Sequence, residues 1–168
     1  MIEIEKTFNE NVINFYCDVP LLKTGESDYA DANILPSTSL LNDIFTTGLV
    51  KRALLLPDML FVEQKDEASS HHLETLLPAL LTDAKLQDVS SDAHLLPKVE
   101  ALIEARIRPF LHTHGGDIAV ILLKDDVLTL RFEGHCKGCM QAEQTLNNII
   151  KTTLTKYLPQ IKAIEREE

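Results

Sequence analysis

Apolar residues alternate with charged ones from Ile2 to Thr7, and a second alternating run from Val12 to Cys17 puts Ile13, Phe15 and Cys17 on one side. A period of two marks a half-buried strand, so these runs read as two strands around the polar turn Asn9-Glu10-Asn11. A polar loop is expected next, through Gly25, Ser27, Asp28 and Asp31. Ser37 or Ser39 can cap a short helix whose apolar face includes Leu40, Leu41, Ile44 and Phe45, and Gly48 suits its C-terminal stop. The apolar, partly alternating runs from Leu49 to Leu56 and from Met59 to Gln64 are separated by Pro57-Asp58, the pattern of a hairpin. Ser69-Ser70 then precede helical spacing through Leu73, Leu76, Leu77, Leu80 and Leu81, within which Pro78 implies a kink or a late start.

Periodicity weakens between Lys85 and Leu96, and the domain boundary is placed there: a first domain at 1–85, a linker at 86–96 and a second domain at 97–168. A helix is expected to begin near Pro97, a good first-turn residue, with Val99, Leu102, Ile103, Ile107, Phe110 and Leu111 on its apolar stripe. Pro109 should bend it near its end, and Gly115-Gly116 should stop it. Two strands follow, from Ile118 to Leu123 and from Val127 to Phe132, joined by Lys124-Asp125-Asp126 as a tight hairpin. A long helix then carries Ala142, Leu146, Ile149, Ile150, Leu154, Tyr157 and Leu158, Pro159 ends it, and Ile161 to Ile164 can form a last strand. The order α-β-β-α-β contains one crossover. It predicts a small mixed sheet with helices on one face, and the fold class is α+β, two small α+β domains in sequence.

The net charge of −10 is unevenly spread over the 168 residues. Residues 1–85 carry 6 basic and 14 acidic side chains, giving −8, and residues 86–168 carry 10 and 12, giving −2. An acidic first half is unsuited to nucleic acid, whose phosphates need clustered Lys and Arg. It can serve as a docking face for basic partners or simply as a solvated surface. No apolar stretch approaches the ~20 residues of a membrane span, and the start Met1-Ile2-Glu3-Ile4-Glu5 lacks the pattern of a secretory signal. Three cysteines with one close pair make a poor disulfide framework and point to a reducing compartment. The bacterial cytoplasm is the expected location, with the mitochondrial matrix, after loss of a targeting segment, as the alternative.

The candidate chemistry lies in Gly134-His135-Cys136-Lys137-Gly138-Cys139, where two of the three cysteines share a C-x-x-C turn directly after a strand. Soft thiolates select zinc, copper(I) or iron-sulfur clusters, whose tetrahedral sites need about four donors. One chain offers two. A two-fold dimer in which each subunit gives Cys136 and Cys139 to one bridging centre supplies the rest. Four of the six glycines, Gly115, Gly116, Gly134 and Gly138, belong to this short region. Cys139 falls where the long helix should begin, so unpaired amides and the positive end of the helix dipole favour its thiolate. Two other readings stand beside the cluster. One is a zinc-binding structural or interaction module completed by His112, His114 or His135, although the two former are natural helix-end residues. The other is a thiol-disulfide oxidoreductase, which would want a preceding βαβ framework that the pattern lacks. Cys17, alternating with Ile13 and Phe15, reads as a small core residue.

Ile107-Arg108-Pro109, the turn His114-Gly115-Gly116-Asp117, the C-x-x-C segment, and Thr145-Leu146 with Ile149 together resemble the Nfu-type (NifU C-terminal domain-like) scaffold and carrier proteins of iron-sulfur cluster assembly. The likeness covers about residues 97–166. The early strand pair around Asn9-Glu10-Asn11, and Gly48-Leu49-Val50 leading into the hairpin at Pro57-Asp58, resemble the Nfu N-terminal domain. The resemblance implies a non-enzymatic protein that binds a labile 4Fe-4S cluster, or a 2Fe-2S cluster, between two subunits and delivers it to apo iron-sulfur proteins. Carried over by position, the cluster and metal ligands are Cys136 and Cys139. The implied partners are a second copy of the chain, acceptor apo-proteins and upstream cluster assembly proteins, with neither nucleic acid nor membrane. His135 stands where small residues are common, and Met140-Gln141 where Pro-Ser is common; both differences bear on cluster stability and transfer rate.

Overall fold

The computed structural model describes residues 1–90, 93–134, 144 and 146–167. They group into two compact units, Met1–Ala101 and Leu102–Glu168. In the first, β1 (Ile2–Lys6), β2 (Val12–Cys17), β3 (Asp28–Asp31), β4 (Val50–Leu56) and β5 (Met59–Gln64) form one antiparallel sheet in the order β1-β2-β5-β4-β3. The alternation of β2 survives as an inner face: Ile13, Phe15 and Cys17 join Ala53, Leu55, Leu60 and Val62. Leucines of α1 (Ser39–Phe45) and α2 (Ser70–Asp83) pack against them. Leu54, Leu56, Met59 and Phe61, pointing the other way, are buried too. Strands buried on both faces read as continuous apolar runs, which is why alternation in β4 and β5 is only partial. Pro78 neither delays nor ends α2, which runs through it.

Two expectations are corrected at one corner. Asp28–Asp31, expected as loop, is the edge strand β3, paired with β4 and burying Tyr29 and Ala30. Asp28 disguises it, because a carboxylate is buried there at no loss of hydrogen bonding: it accepts from the amides of Tyr29, Ser37 and Thr38 and from the hydroxyls of Ser37 and Thr38. The same cluster decides the cap of α1. Neither Ser37 nor Ser39 takes that place; Thr38 between them does, its Oγ1 accepting the Leu41 amide at 3.2 Å. Beyond α2, Gln87 is tied to this unit, its amide donating to the Leu21 carbonyl at 2.8 Å and its side-chain oxygen accepting from the Leu40 amide at 3.1 Å.

The helix expected from Pro97 starts at Leu95, so α3 (Leu95–Leu102) holds Pro97 in its first turn. A π-helical turn, Ile103–Ile107, and α4 (Arg108–His112) continue it. Pro109 explains the wide turn. It has no N–H, and its ring obstructs the carbonyl four residues back, so the helix widens ahead of it and the Arg108 amide bonds Ile103 O five residues back.

The strands β6 (Gly116–Lys124) and β7 (Val127–Gly134) make the expected hairpin. Asp125 and Asp126 have φ of 53° and 63°, the two positive values of a tight turn whose twist matches the strands. After the segment that holds the cysteine motif come a π-helical turn at Leu146–Ile150, α5 (Lys151–Tyr157) and β8 (Ala163–Arg166). Ala142, assigned to that helix from its spacing, lies outside the described residues. β8 pairs parallel with β7, giving a mixed sheet in the order β6-β7-β8. Leu128, Leu130 and Phe132 of β7 point into the core with Leu154 and Leu158, while Arg131 points out. The chain is therefore α+β, one antiparallel sheet and one small mixed sheet with their helices.

Candidate metal centre

Cys136 and Cys139 lie outside the described residues, together with His135, Lys137, Gly138, Met140 and Gln141. What is described is the frame from which the motif departs. Gly134, the last residue of β7, pairs with Gly116, the first of β6. Its φ of +64° is left-handed, and a Cβ there would stand 2.6 Å from Gly115 O and 3.4 Å from Gly116 Cα. Backbone meets backbone at this point, so only glycine fits. The residue two positions further is Cys136, at most ~7 Å along the chain from Gly134.

The Gly115-Gly116 turn is itself held from both sides. On its N-terminal side the close of α4 fixes it: the His114 amide donates to Leu111 O at 3.0 Å and the Gly115 amide to His112 O at 3.1 Å. Gly115, at φ +73°, occupies the left-handed position that ends many helices. On the other side stands Asp117, whose Oδ1 accepts from the Ile118 amide at 2.7 Å and from Arg108 Nε at 3.1 Å. Arg108 spreads its remaining nitrogens to Glu104 Oε1 at 3.3 Å and to Ile118 O at 3.1 Å. In the sequence Arg108 and Asp117 stand out only as members of short motifs. The Glu104–Arg108 spacing of four is a readable signal for an ion pair on a helix; the reach to Asp117 is tertiary.

His112 closes α4, and His114 lies in the turn after it with its ring edge-on to Phe110, centroids 5.1 Å apart. Among the described residues no three His, Cys, Asp or Glu side chains come together to hold a metal ion. Cys17 is in the core of the first unit; burial, reinforced by Asp18 and Asp58, pushes its thiol up to about 11. Such a sulfur stays protonated and is a packing group. No described helix is long and apolar enough to cross a membrane.

The NifU-like domain model matches residues 99–165, the stretch that contains the Arg108 network, the glycine frame and both cysteines of the motif. Residues 99–165 thus carry a NifU-like domain. Fe/S biogenesis protein NfuA of Klebsiella pneumoniae (strain 342) is 34% identical over 112 residues, covering 59% of this chain and 59% of that protein. Two eukaryotic relatives align along nearly the whole chain. NifU-like protein 4, mitochondrial, of Arabidopsis thaliana is 25% identical over 185 residues, 99% of this chain and 65% of that protein. The mitochondrial NFU1 iron-sulfur cluster scaffold homolog of Homo sapiens is 24% identical over 180 residues, 98% of this chain and 71% of that protein. The chain thus spans 65% of the plant protein and 59% of the bacterial one.

Proposed function

We propose that this chain is an iron-sulfur cluster scaffold and carrier, which takes up a labile cluster between two copies through Cys136 and Cys139 of each and passes it to apo-proteins. The observation that carries the reading is the glycine frame of the NifU-like domain: Gly134 is locked against Gly115 two residues before the first thiol of the motif. That close backbone contact, which only glycine permits, fixes the point from which the chain runs on to the motif. With two thiolates per chain and no additional three-donor group among the described residues, a tetrahedral set of sulfurs calls for a second copy.

The cargo is a 4Fe-4S cluster, with 2Fe-2S as the smaller form. Transfer is ligand exchange. An acceptor thiol loses its proton as it binds iron, the outgoing Cys136 or Cys139 thiolate regains one, and no electron changes hands. The chain therefore works as a carrier, not an enzyme. Its first domain, acidic and outside the match of the NifU-like model, is a docking module for upstream assembly proteins and acceptors. The working compartment is one that keeps thiols reduced, the bacterial cytoplasm, or else the mitochondrial matrix.

Anaerobic reconstitution with iron and sulfide tests this. The expected product is a brown dimer, with colour and dimer both lost in Cys136→Ser and in Cys139→Ser. A colourless monomer retaining zinc would instead establish the structural-module reading, and catalytic insulin reduction without metal would establish the oxidoreductase.

A further inference from the structure

We propose that Arg108 is a positioning residue for Gly134, from which the chain runs on to the cysteine motif, acting through Asp117 and the Gly115-Gly116 turn; this rests on the carrier reading of Cys136 and Cys139. The geometry is a chain of contacts, each link of which is rigid for a stated reason. The π-helical turn at Ile103–Ile107 shifts the helix by one residue relative to an α-helix, and Arg108 is the first residue after it. From there its planar guanidinium reaches three acceptors on two different elements: Glu104 one turn earlier, and the Asp117 carboxylate and Ile118 carbonyl at the start of β6. The Glu104 side chain is 12% exposed and that of Arg108 29%, so the pairing is partly shielded from water. Asp117 is fixed further because the same Oδ1 that receives Arg108 also receives the Ile118 amide. One residue before Asp117 is Gly116, the ladder partner of Gly134, and one before that is Gly115, whose carbonyl faces Gly134. A lysine at 108 would keep the charge and lose the fork, since a single ammonium cannot reach three acceptors in one plane.

The core of this unit, built from Leu128, Leu130, Phe132 and Leu154, does not include the guanidinium. Loss of the fork should therefore loosen the frame and leave the fold standing. The test uses the full-length protein with Arg108→Lys, Asp117→Ala and the double variant. In apo-protein, amide hydrogen exchange at Ile118 and Gly134 should rise about tenfold in each single variant, the double variant matching the singles, while exchange at Leu130 and Leu154 and the melting temperature stay near wild type. After anaerobic reconstitution, loss of the cluster to a chelator should be about tenfold faster in the same variants, the scale of an outer-shell partner. Unchanged exchange at Gly134 would overturn the proposal. So would a melting temperature lowered as far as in the core truncation Leu154→Ala, because Arg108 would then be holding the fold as a whole. Failure of the wild type to take up a cluster would sink the carrier reading instead, while the exchange measurement would still decide whether Arg108 holds Gly134.

Discussion

The carbonyl oxygen of Gly115 lies where a side chain on Gly134 would have to begin, 2.6 Å from the position of a Cβ. Gly48 offers a control within the same chain: it too has a positive φ, +79°, yet nothing stands within 4 Å of its Cβ position. Gly48→Ala should cost only the left-handed backbone penalty, about 1–2 kcal/mol. Gly134→Ala adds a collision with main chain that cannot swing aside. It should break the Gly116–Gly134 pair, lower stability by more than Gly48→Ala does, and abolish cluster retention, whereas Gly48→Ala leaves retention intact. Thermal unfolding and anaerobic reconstitution of the two variants check this.

Much of this arrangement is legible in the sequence, and the exceptions share a cause. The hairpin from Ile118 to Phe132, the strand pair at Ile2 and Val12 and the leucine face of α2 are local patterns, and each appears within a residue or two of its expected limits. Strand β3 and the Thr38 cap are not local. Both depend on Asp28 being buried among donors nine and ten residues away, which no propensity encodes. At the candidate site the glycines and Pro109 could be read as turn and bend signals, but the π-helical turn and the Arg108–Asp117 bond arise from how helix and strand meet. The proposed sulfur ligands, Cys136 and Cys139, rest on residue type and resemblance, and they fall outside the described residues.

Asp28 should be among the most sensitive polar positions of the first unit. Its carboxylate receives five hydrogen bonds, from Tyr29, Ser37 and Thr38. Asparagine keeps one acceptor oxygen and turns an NH2 toward groups that can only donate or that already donate. Asp28→Asn should destabilise the unit by about 3 kcal/mol, the scale of losing charge-assisted bonds with their partners left unsatisfied. Thr38→Ala removes one of those donors and the α1 cap, and should cost about 1–2 kcal/mol. Because both act on one cluster, chemical denaturation of the double variant should show less than the sum.

The β6–β7 turn leaves room for improvement. Asp125 and Asp126 both occupy left-handed backbone, which aspartate tolerates less well than glycine. The Asp126 carbonyl accepts from the Lys162 amide at 2.8 Å, a main-chain bond that any residue at 126 retains. The Asp126–Lys162 ion pair is long, 3.8 Å, and exposed, so its loss matters little. Asp126→Gly should therefore stabilise the second unit by up to about 1 kcal/mol. A rise in melting temperature without change in cluster content would meet this expectation; a fall would mean that the aspartate makes a contribution its backbone angle conceals.

Cys17 gives the first unit a defined alkaline limb. Burial makes the thiolate unwelcome in the folded state and moves the group from 9.0 to about 11. Below about pH 9 the thiol is protonated whether or not the chain is folded, and its contribution to stability is complete. Between about pH 9 and about 11 the unfolded chain releases the proton while the folded one retains it. Unfolding is then favoured, with a slope approaching about 1.4 kcal/mol per pH unit, and the contribution is exhausted once the folded group also ionises. Tyr29, raised by burial and its bond to Asp31, adds its own alkaline dependence, so the wild-type curve alone does not isolate the thiol. Subtracting the curve of Cys17→Ala does, because Tyr29 is present in both. The difference should be flat below pH 9 and decline above it; a difference that is flat throughout would show that the sulfur is solvated. Native alkylation at pH 8 should likewise spare the Cys17 peptide, which denaturant then exposes to full labelling.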